Sequence, residues 1–359
     1  MRKKDPLDRM KRLIGISAIV FLFSMCSTEL DLLDDWKETC VVYGLLDQDQ
    51  PKQYIRIQKA FLGPDNAYNM AQVYDSINYI STIDVKMEQV NRTSGQVAFV
   101  YVLTPDTFYN KQDGDFYSPT QVIYSFDTPL NFETANFDYR LVITRGANTV
   151  HATTHLVESF DIVSQPTPNI SFIKFNSSTV VEVKWEGAPS ARLYQLAMYF
   201  TYFETDIGGN TTFKATPPWV IGEVETTTNT ANQTQSIKFD PDGFYRFIAQ
   251  QVPADNNVAS RESQSVEFVV FACGEQLNEY MEINGPSTGI AQERPFYSNI
   301  MVTNADGTEE TGIGVFSGRT RSVKGNLLLT PQSLDSLSYG RFTCPLKFED
   351  RNGIVVGCQ

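Results

Sequence analysis

Two histidines, five cysteines and 42 carboxylates are the groups in this 359-residue chain with the most chemistry to offer. The histidines, His151 and His155, stand four apart, which on a helix would put both on one face within reach of a single ion. The intervening Ala152-Thr153-Thr154 and the preceding Val150 favour a strand instead. A strand rises about 3.3 Å per residue, so the two rings would share a face about 13 Å apart and could not hold one zinc. No Gly-x-Ser-x-Gly elbow accompanies them, so a hydrolase triad has no evident nucleophile. The acids supply many pairs, but spacing in sequence says nothing of spacing across a cleft, and most are expected to be solvated. Asn110–Asp115 and Asn304–Glu310 offer hard oxygens beside a flexible glycine, the makings of a calcium loop, yet neither has the spacing of a complete one, and turns use the same residues. The expectation is no catalytic residues, no metal and no cofactor.

The cysteines say more. Cys26 directly follows an apolar run, Leu13 to Met25, which itself follows a basic head of Arg2, Lys3, Lys4, Arg9, Lys11 and Arg12. The run falls short of the roughly 20 helical residues that span a bilayer. Residues 1–25 therefore read as a lipoprotein signal peptide with Cys26 as the lipidated residue, and residues 26–38, rich in Asp and Glu, as an acidic tether. An ordinary signal peptide with Cys26 left as a thiol is the alternative. The four remaining cysteines are an even number for an oxidising compartment. Cys344 and Cys358 bracket an apparent hairpin turning at Asn352-Gly353, which would set them opposite each other for a disulfide. Cys40 and Cys273 either pair or stay as buried thiols.

Composition narrows the partners. The formal charge of −13 becomes about −17 once residues 1–25 are removed, leaving 23 basic and 40 acidic residues. Such a surface repels nucleic acid. The length exceeds one typical domain, and 42% hydrophobic residues can fill two cores.

The elements that must position these residues are nearly all strands. Cys40 to Leu46, Gln53 to Lys59, Ile83 to Val90, Val97 to Val102, Val122 to Phe126, Asp138 to Thr144 and His151 to Leu156 have the composition and alternation of one sandwich, Ig-like or transthyretin-like, over 39–164. Pro166 and Pro168 mark a boundary near residue 165. In 165–359, Val180 to Trp185 followed by Leu193 to Phe200 predicts a Trp–Tyr packed core of fibronectin-like type. Strands are expected at Trp219 to Glu225, Gln235 to Phe239, Tyr245 to Val252 and Ser265 to Ala272. One short helix is expected near 273–284, stopped by Gly285-Pro286, and a terminal hairpin over 341–358. The fold class is mainly β. Aromatics fall in expected loops of the first domain, namely Phe61, Tyr68, Tyr74, Tyr79, Phe108, Tyr109, Phe116 and Tyr117. They either close the ends of the core or contact a glycan or peptide ligand.

Toward the C-terminus, Pro295-Phe296-Tyr297-Ser298-Asn299-Ile300 is followed by the glycine-spaced Gly312-Ile313-Gly314-Val315-Phe316-Ser317-Gly318. With the lipoprotein signal, the acidic tether, the early Val41-Val42-Tyr43-Gly44 strand and the Trp185 strand, this resembles a domain-of-unknown-function family of two-domain, β-rich outer-membrane lipoproteins of the Bacteroidota. The segment 301–311 separates the two C-terminal halves more widely than that pattern has them. The resemblance implies a cell-envelope protein, lipid-anchored in the outer membrane and displayed on the cell surface or on the periplasmic face, in the company of a TonB-dependent receptor. It carries over no site residues. The expectation is a non-catalytic binding or accessory module, with a surface adhesin or matrix component as the second reading and a glycan-active enzyme as the third.

Overall fold

The computed structural model describes residues 39–60, 66–79, 83–163, 172–175, 180–226, 233–284 and 296–358. The expected signal peptide and tether, Cys26, Phe61, and the boundary prolines Pro166 and Pro168 lie outside the described residues.

Eight strands come first: β1 (Cys40–Leu46), β2 (Lys52–Lys59), β3 (Asp84–Asn91), β4 (Val97–Val102), β5 (Thr104–Phe108), β6 (Gln121–Asp127), β7 (Phe137–Arg145) and β8 (Asn148–His155). Two short helices, α1 (Ala67–Ala71) and α2 (Tyr74–Ile77), lie between β2 and β3. Strand alternation drives the packing, because every second residue can be buried while its neighbours face out. Val42, Ile55, Ile57 and Phe126 from β1, β2 and β6 thus meet Val85, Met87, Leu141, Ile143 and Ala152 from β3, β7 and β8 in one core. β5, unexpected from its Pro105, runs on from β4 and changes sheet at buried Leu103. A proline is tolerated there because β5 is an edge strand.

The rest of the chain adds β9 (Phe172–Ile173), β10 (Val181–Glu186), β11 (Leu193–Asp206), β12 (Thr211–Ala215), β13 (Trp219–Glu225), β14 (Thr234–Phe239), α3 (Asp242–Gln251) and β15 (Val258–Cys273). After these come α4 (Glu275–Asn284), β16 (Met301–Thr303), β17 (Glu309–Thr311), β18 (Ile313–Leu329) and α5 (Pro331–Tyr339). The expected Trp–Tyr core is present: Trp185 and Tyr194 are both fully buried, with ring centroids 5.6 Å apart. The β10–β14 ribbon and α3 cover the inner face of β11, β15 and β18.

Several expectations need correction. Tyr245 to Val252 is not a strand but most of α3. Phe244, Phe247 and Ile248 all bury on one side, which the i, i+3, i+4 spacing of a helix allows and the alternation of a strand forbids. Among the described residues, three helices of nine or ten residues are present rather than one. The terminal hairpin reduces to a 3-10 turn (Cys344–Leu346) and a single bridge between Glu349 and Val355, closed by Gly353 at φ 73°.

A division at residue 165 does not separate the sheets. β18 pairs in parallel with β1, from Val41 opposite Ile313 to Leu46 opposite Gly318, and then runs antiparallel to β15 from Arg319 to Leu327. β16 adds to the free edge of β8. Residues 301–318 therefore finish the first sandwich, and one sheet, in the order β12-β11-β15-β18-β1-β2-β6-β5, passes through both halves.

Two glycines permit this. Gly314 lies opposite Val42 at φ 120°, where an added Cβ would fall 1.8 Å from the Val42 carbonyl oxygen. At Gly318 a Cβ would meet the His155 carbonyl oxygen at 2.3 Å. The glycine-spaced motif is thus where strands from both halves press onto one another.

Candidate functional site

α4 is separated from the end of β15 by Gly274 alone and is pinned at once to β18. Gly274 N–H donates to Gly318 O at 2.9 Å, and Leu277 N–H donates to Ser317 Oγ at 3.2 Å. Its distal part meets the first half, with the Tyr280 and Tyr43 hydroxyls 3.4 Å apart and their rings edge-on at 6.2 Å. No residue of α4 is buried. The helix therefore acts as a wall standing on the sheet rather than as core.

Between this wall and the outer face of β1, β2 and β18 lies a trough of about 460 Å³, lined chiefly by Tyr43, Asp47, Lys52, Tyr54, Tyr280 and Arg319. The rings are open to solvent, with Tyr43 37% and Tyr54 44% exposed. Tyr54 leans edge-on against Phe108 at 6.1 Å. Asp47 is the exception, buried at the floor, and burial raises its carboxyl pKa above the ordinary value. Its Oδ1 accepts from Asp49 N–H at 3.1 Å, while Oδ2 has the Arg319 guanidinium only at 3.9 Å. Buried Gln53 holds the turn, accepting from Asp47 N–H at 2.9 Å and donating to Asp47 O at 2.7 Å. Lys52 is engaged by Asp106 at 2.8 Å. Burial and the Tyr280 hydroxyl push the Tyr43 phenol up to about 12, so it is neutral at physiological pH.

Leu45, Leu277 and Arg319 also line a neighbouring apolar crevice of about 180 Å³ that reaches Phe271, Cys273 and Met281. Cys40 and Cys273 are both buried and are not bonded to each other, so the pairing alternative does not hold. Burial pushes the Cys273 thiol up to about 12, leaving it unreactive near neutrality. The opposite flank of α4 is acidic, with Glu223, Glu225 and Glu282 around a cavity of about 550 Å³. Two of these acids are occupied, Glu223 by Gln195 at 2.7 Å and Glu225 by Asn278 at 2.8 Å. A further cavity of about 520 Å³ near α5 has its charges paired internally, Arg341 to Asp242 at 2.6 Å.

The residues singled out in sequence are dispersed by the fold. His151 and His155 lie on β8, and His155 Nδ1 contacts Asp138, which also accepts from Arg92 at 2.6 Å. Among the described residues, no cluster of three or more His, Cys, Asp or Glu side chains is placed to hold a metal. The Asn304 loop closes on itself, with Thr308 N–H donating to Asp306 at 2.9 Å and Asn304 donating to Glu310 at 2.8 Å. Cys344 and Cys358 form the expected disulfide, with Cα atoms 4.8 Å apart.

Of the loop aromatics, Tyr74 and Tyr117 pack edge-on at 5.4 Å, Tyr79 packs on the core beneath Arg145, and Phe116 lies beside Lys111. Tyr68, Tyr109 and Phe116 remain exposed. Among the described loop aromatics, only Phe108 packs against a ring of the trough, that of Tyr54. Sequence reasoning missed Tyr43, Tyr54, Asp47 and Arg319, and assigned Tyr280 to helix packing. The available signal was an aromatic at the outward position of an alternating strand, at Tyr43 and again at Tyr54.

The motif Tyr297-Ser298-Asn299-Ile300 proves to be a clasp. Asn299 accepts from Phe316 N–H at 2.9 Å and donates to Phe316 O at 2.7 Å, copying a strand partner. Ile300 is fully buried in the first core. Tyr297 hydrogen-bonds Glu279 of α4, and its phenol pKa is raised by burial and by that carboxylate.

These features define a mainly β protein with an open trough at the junction of its two halves. No protein-family model matches the chain, and no curated protein matches it. Among solved structures, CBD12 from CALX1.2 aligns at 10% identity over 79% of this chain and all of that one, with a TM-score of 0.14, too low to bear on fold or function. Among the described residues no helix is long and apolar enough to cross a membrane.

Proposed function

We propose that this protein is a lipid-anchored binding module of the cell envelope. It is held at the outer membrane through Cys26 and serves an uptake or assembly complex built around a TonB-dependent receptor, without catalysis of its own. The observation that carries the binding reading is the trough: exposed tyrosines and an arginine on the outer face of one continuous sheet, behind a helix that contributes nothing to the core. A small number of placed polar groups beside apolar or aromatic surface is how ligand sites fix orientation. Asp47 is the one carboxylate lining the trough among the described residues, whereas glycoside hydrolysis uses a facing pair. The anchor rests on the basic head, the apolar run and Cys26 itself, and the envelope setting on the resemblance carried by the Tyr297 and Gly312 motifs.

Two measurements test this. Cys26→Ser is expected to move the protein from the detergent phase to the aqueous phase, and continued partitioning into detergent would remove the lipid anchor. Purification from native membranes is expected to recover a receptor subunit. If it never does, while cells lacking the protein lose attachment but keep nutrient uptake, the adhesin reading takes its place.

A further inference from the structure

We propose that the trough binds an acidic saccharide, with a sugar face against Tyr54 and Tyr43 and the sugar's carboxylate on the Arg319 guanidinium. This rests on the binding-module reading and names the ligand class of that same site.

Three observations converge. First, Tyr43, Tyr54 and Tyr280 bring three phenol rings to a single cavity of about 460 Å³, large enough for one or two sugar rings. Aromatic faces beside hydroxyl donors suit the mixed apolar and polar faces of a pyranose. Among the described residues the Tyr43 and Tyr280 hydroxyls bond only each other, at 3.4 Å, a long contact that leaves both able to bond a ligand hydroxyl.

Second, Arg319 has unused capacity. Its side chain is half exposed, and its nearest carboxylate oxygen, Asp47 Oδ2, is 3.9 Å away, beyond hydrogen-bond range. A guanidinium presents five donors in a planar fork that fits a carboxylate in bidentate fashion. Asp47 is near enough to attract the guanidinium but accepts none of its hydrogen bonds.

Third, the local charge opposes the global one. In a chain of net charge −13, the outer face here gathers Arg319 with Arg321 two residues along β18, and Arg56 directly across from Tyr43. The Lys52 charge is cancelled by Asp106, and the only acid lining the trough among the described residues, Asp47, is buried. An isolated basic spot on an acidic protein favours a small anion over a polyanion, because a long one would meet the surrounding negative surface. The apolar crevice beyond Leu277 leaves room for a methyl or acetyl substituent.

The test uses the full-length lipidated protein in detergent micelles. Calorimetric titration is run with oligosaccharides ending in glucuronate, galacturonate or N-acetylneuraminate, and with their neutral counterparts. At least one acidic ligand is expected to bind about tenfold or more tightly than its neutral counterpart, with the preference shrinking as salt rises. Tyr54→Ala is expected to weaken that binding at least about tenfold. Arg319→Gln is expected to abolish the preference while residual stacking persists, and Arg319→Lys to restore it in part. Thermal unfolding of each variant confirms that the fold is intact.

Equal binding of acidic and neutral sugars, indifference to both substitutions, displacement by equimolar inorganic phosphate, or no binding by any member of the panel would each overturn the proposal. A receptor recovered from membranes alongside any of these results leaves the accessory reading standing. Sugar binding with no receptor recovered sinks that reading alone.

Discussion

Asn299 holds more structure than its single side chain suggests. It satisfies both backbone groups of Phe316 on β18, so Asn299→Ala is expected to strand them at a half-buried site and to lower stability by about 1–3 kcal/mol, read as a shift in the urea midpoint at unchanged slope. Asp335 works through charge. It is buried on α5, and the Arg351 guanidinium, donating from Nε at 2.7 Å, lowers its pKa. A carboxyl whose folded pKa is depressed stabilises the protein above its unfolded value of about 3.9, and that stability disappears as pH falls through the folded pKa. The wild type is therefore expected to lose stability below about pH 4 more steeply than Asp335→Asn, compared by thermal melts across the acid range. Parallel profiles would show that this ion pair has no part in the acid limb.

At the scale of elements, β18 does what no other described strand does. Its first part serves as a parallel partner for β1 and its second as an antiparallel partner for β15, and the change of neighbour falls at Gly318. Gly318→Ala would drive a Cβ to 2.3 Å from a backbone oxygen, which no rotamer can relieve. A loss of about 2 kcal/mol or more is expected, against less than about 0.5 kcal/mol for Gly114→Ala, where nothing lies within 4 Å, with both read from chemical denaturation. α4 and β18 were separately foreseeable, from the apolar spacing of Leu277, Tyr280 and Met281 and from the β-rich run after Gly312. α3 was misread because Tyr245, Phe247 and Ile248 are residues that favour strands, and burial against the β15 sheet overrode that propensity.

For the whole molecule, the shared strand makes the halves interdependent. A fragment of residues 39–163 keeps eight strands but lacks the β18 partner of β1 and the β16 cover of β8. It is expected to show no cooperative melt by circular dichroism, whereas the full chain unfolds in one transition. A fragment that melts cooperatively on its own would refute the interdependence. The same architecture explains why the trough escaped sequence reading. Its rings and charges come from β1 and β2 on one side and from α4 and β18 on the other, two groups of segments more than about 200 residues apart that the β1–β18 pairing brings together.

Local alternation was enough to determine most strands, because burial with period two is written in consecutive residues. The first seven expected strands all exist within a few residues of their predicted bounds, and β10 and β11 carry the expected Trp–Tyr contact. The Cys344–Cys358 bond was legible from the turn between the two cysteines, although the strands expected to flank that turn reduce to a single bridge. What only the tertiary structure decided is everything that depends on which distant strands are neighbours: the fate of Cys40 and Cys273, the clasp at Asn299, the crossing of β18 between halves, and the meeting of Tyr43, Tyr54, Tyr280 and Arg319. Sheet partners far apart in sequence are chosen by the packing of whole faces, which no short window of residues contains.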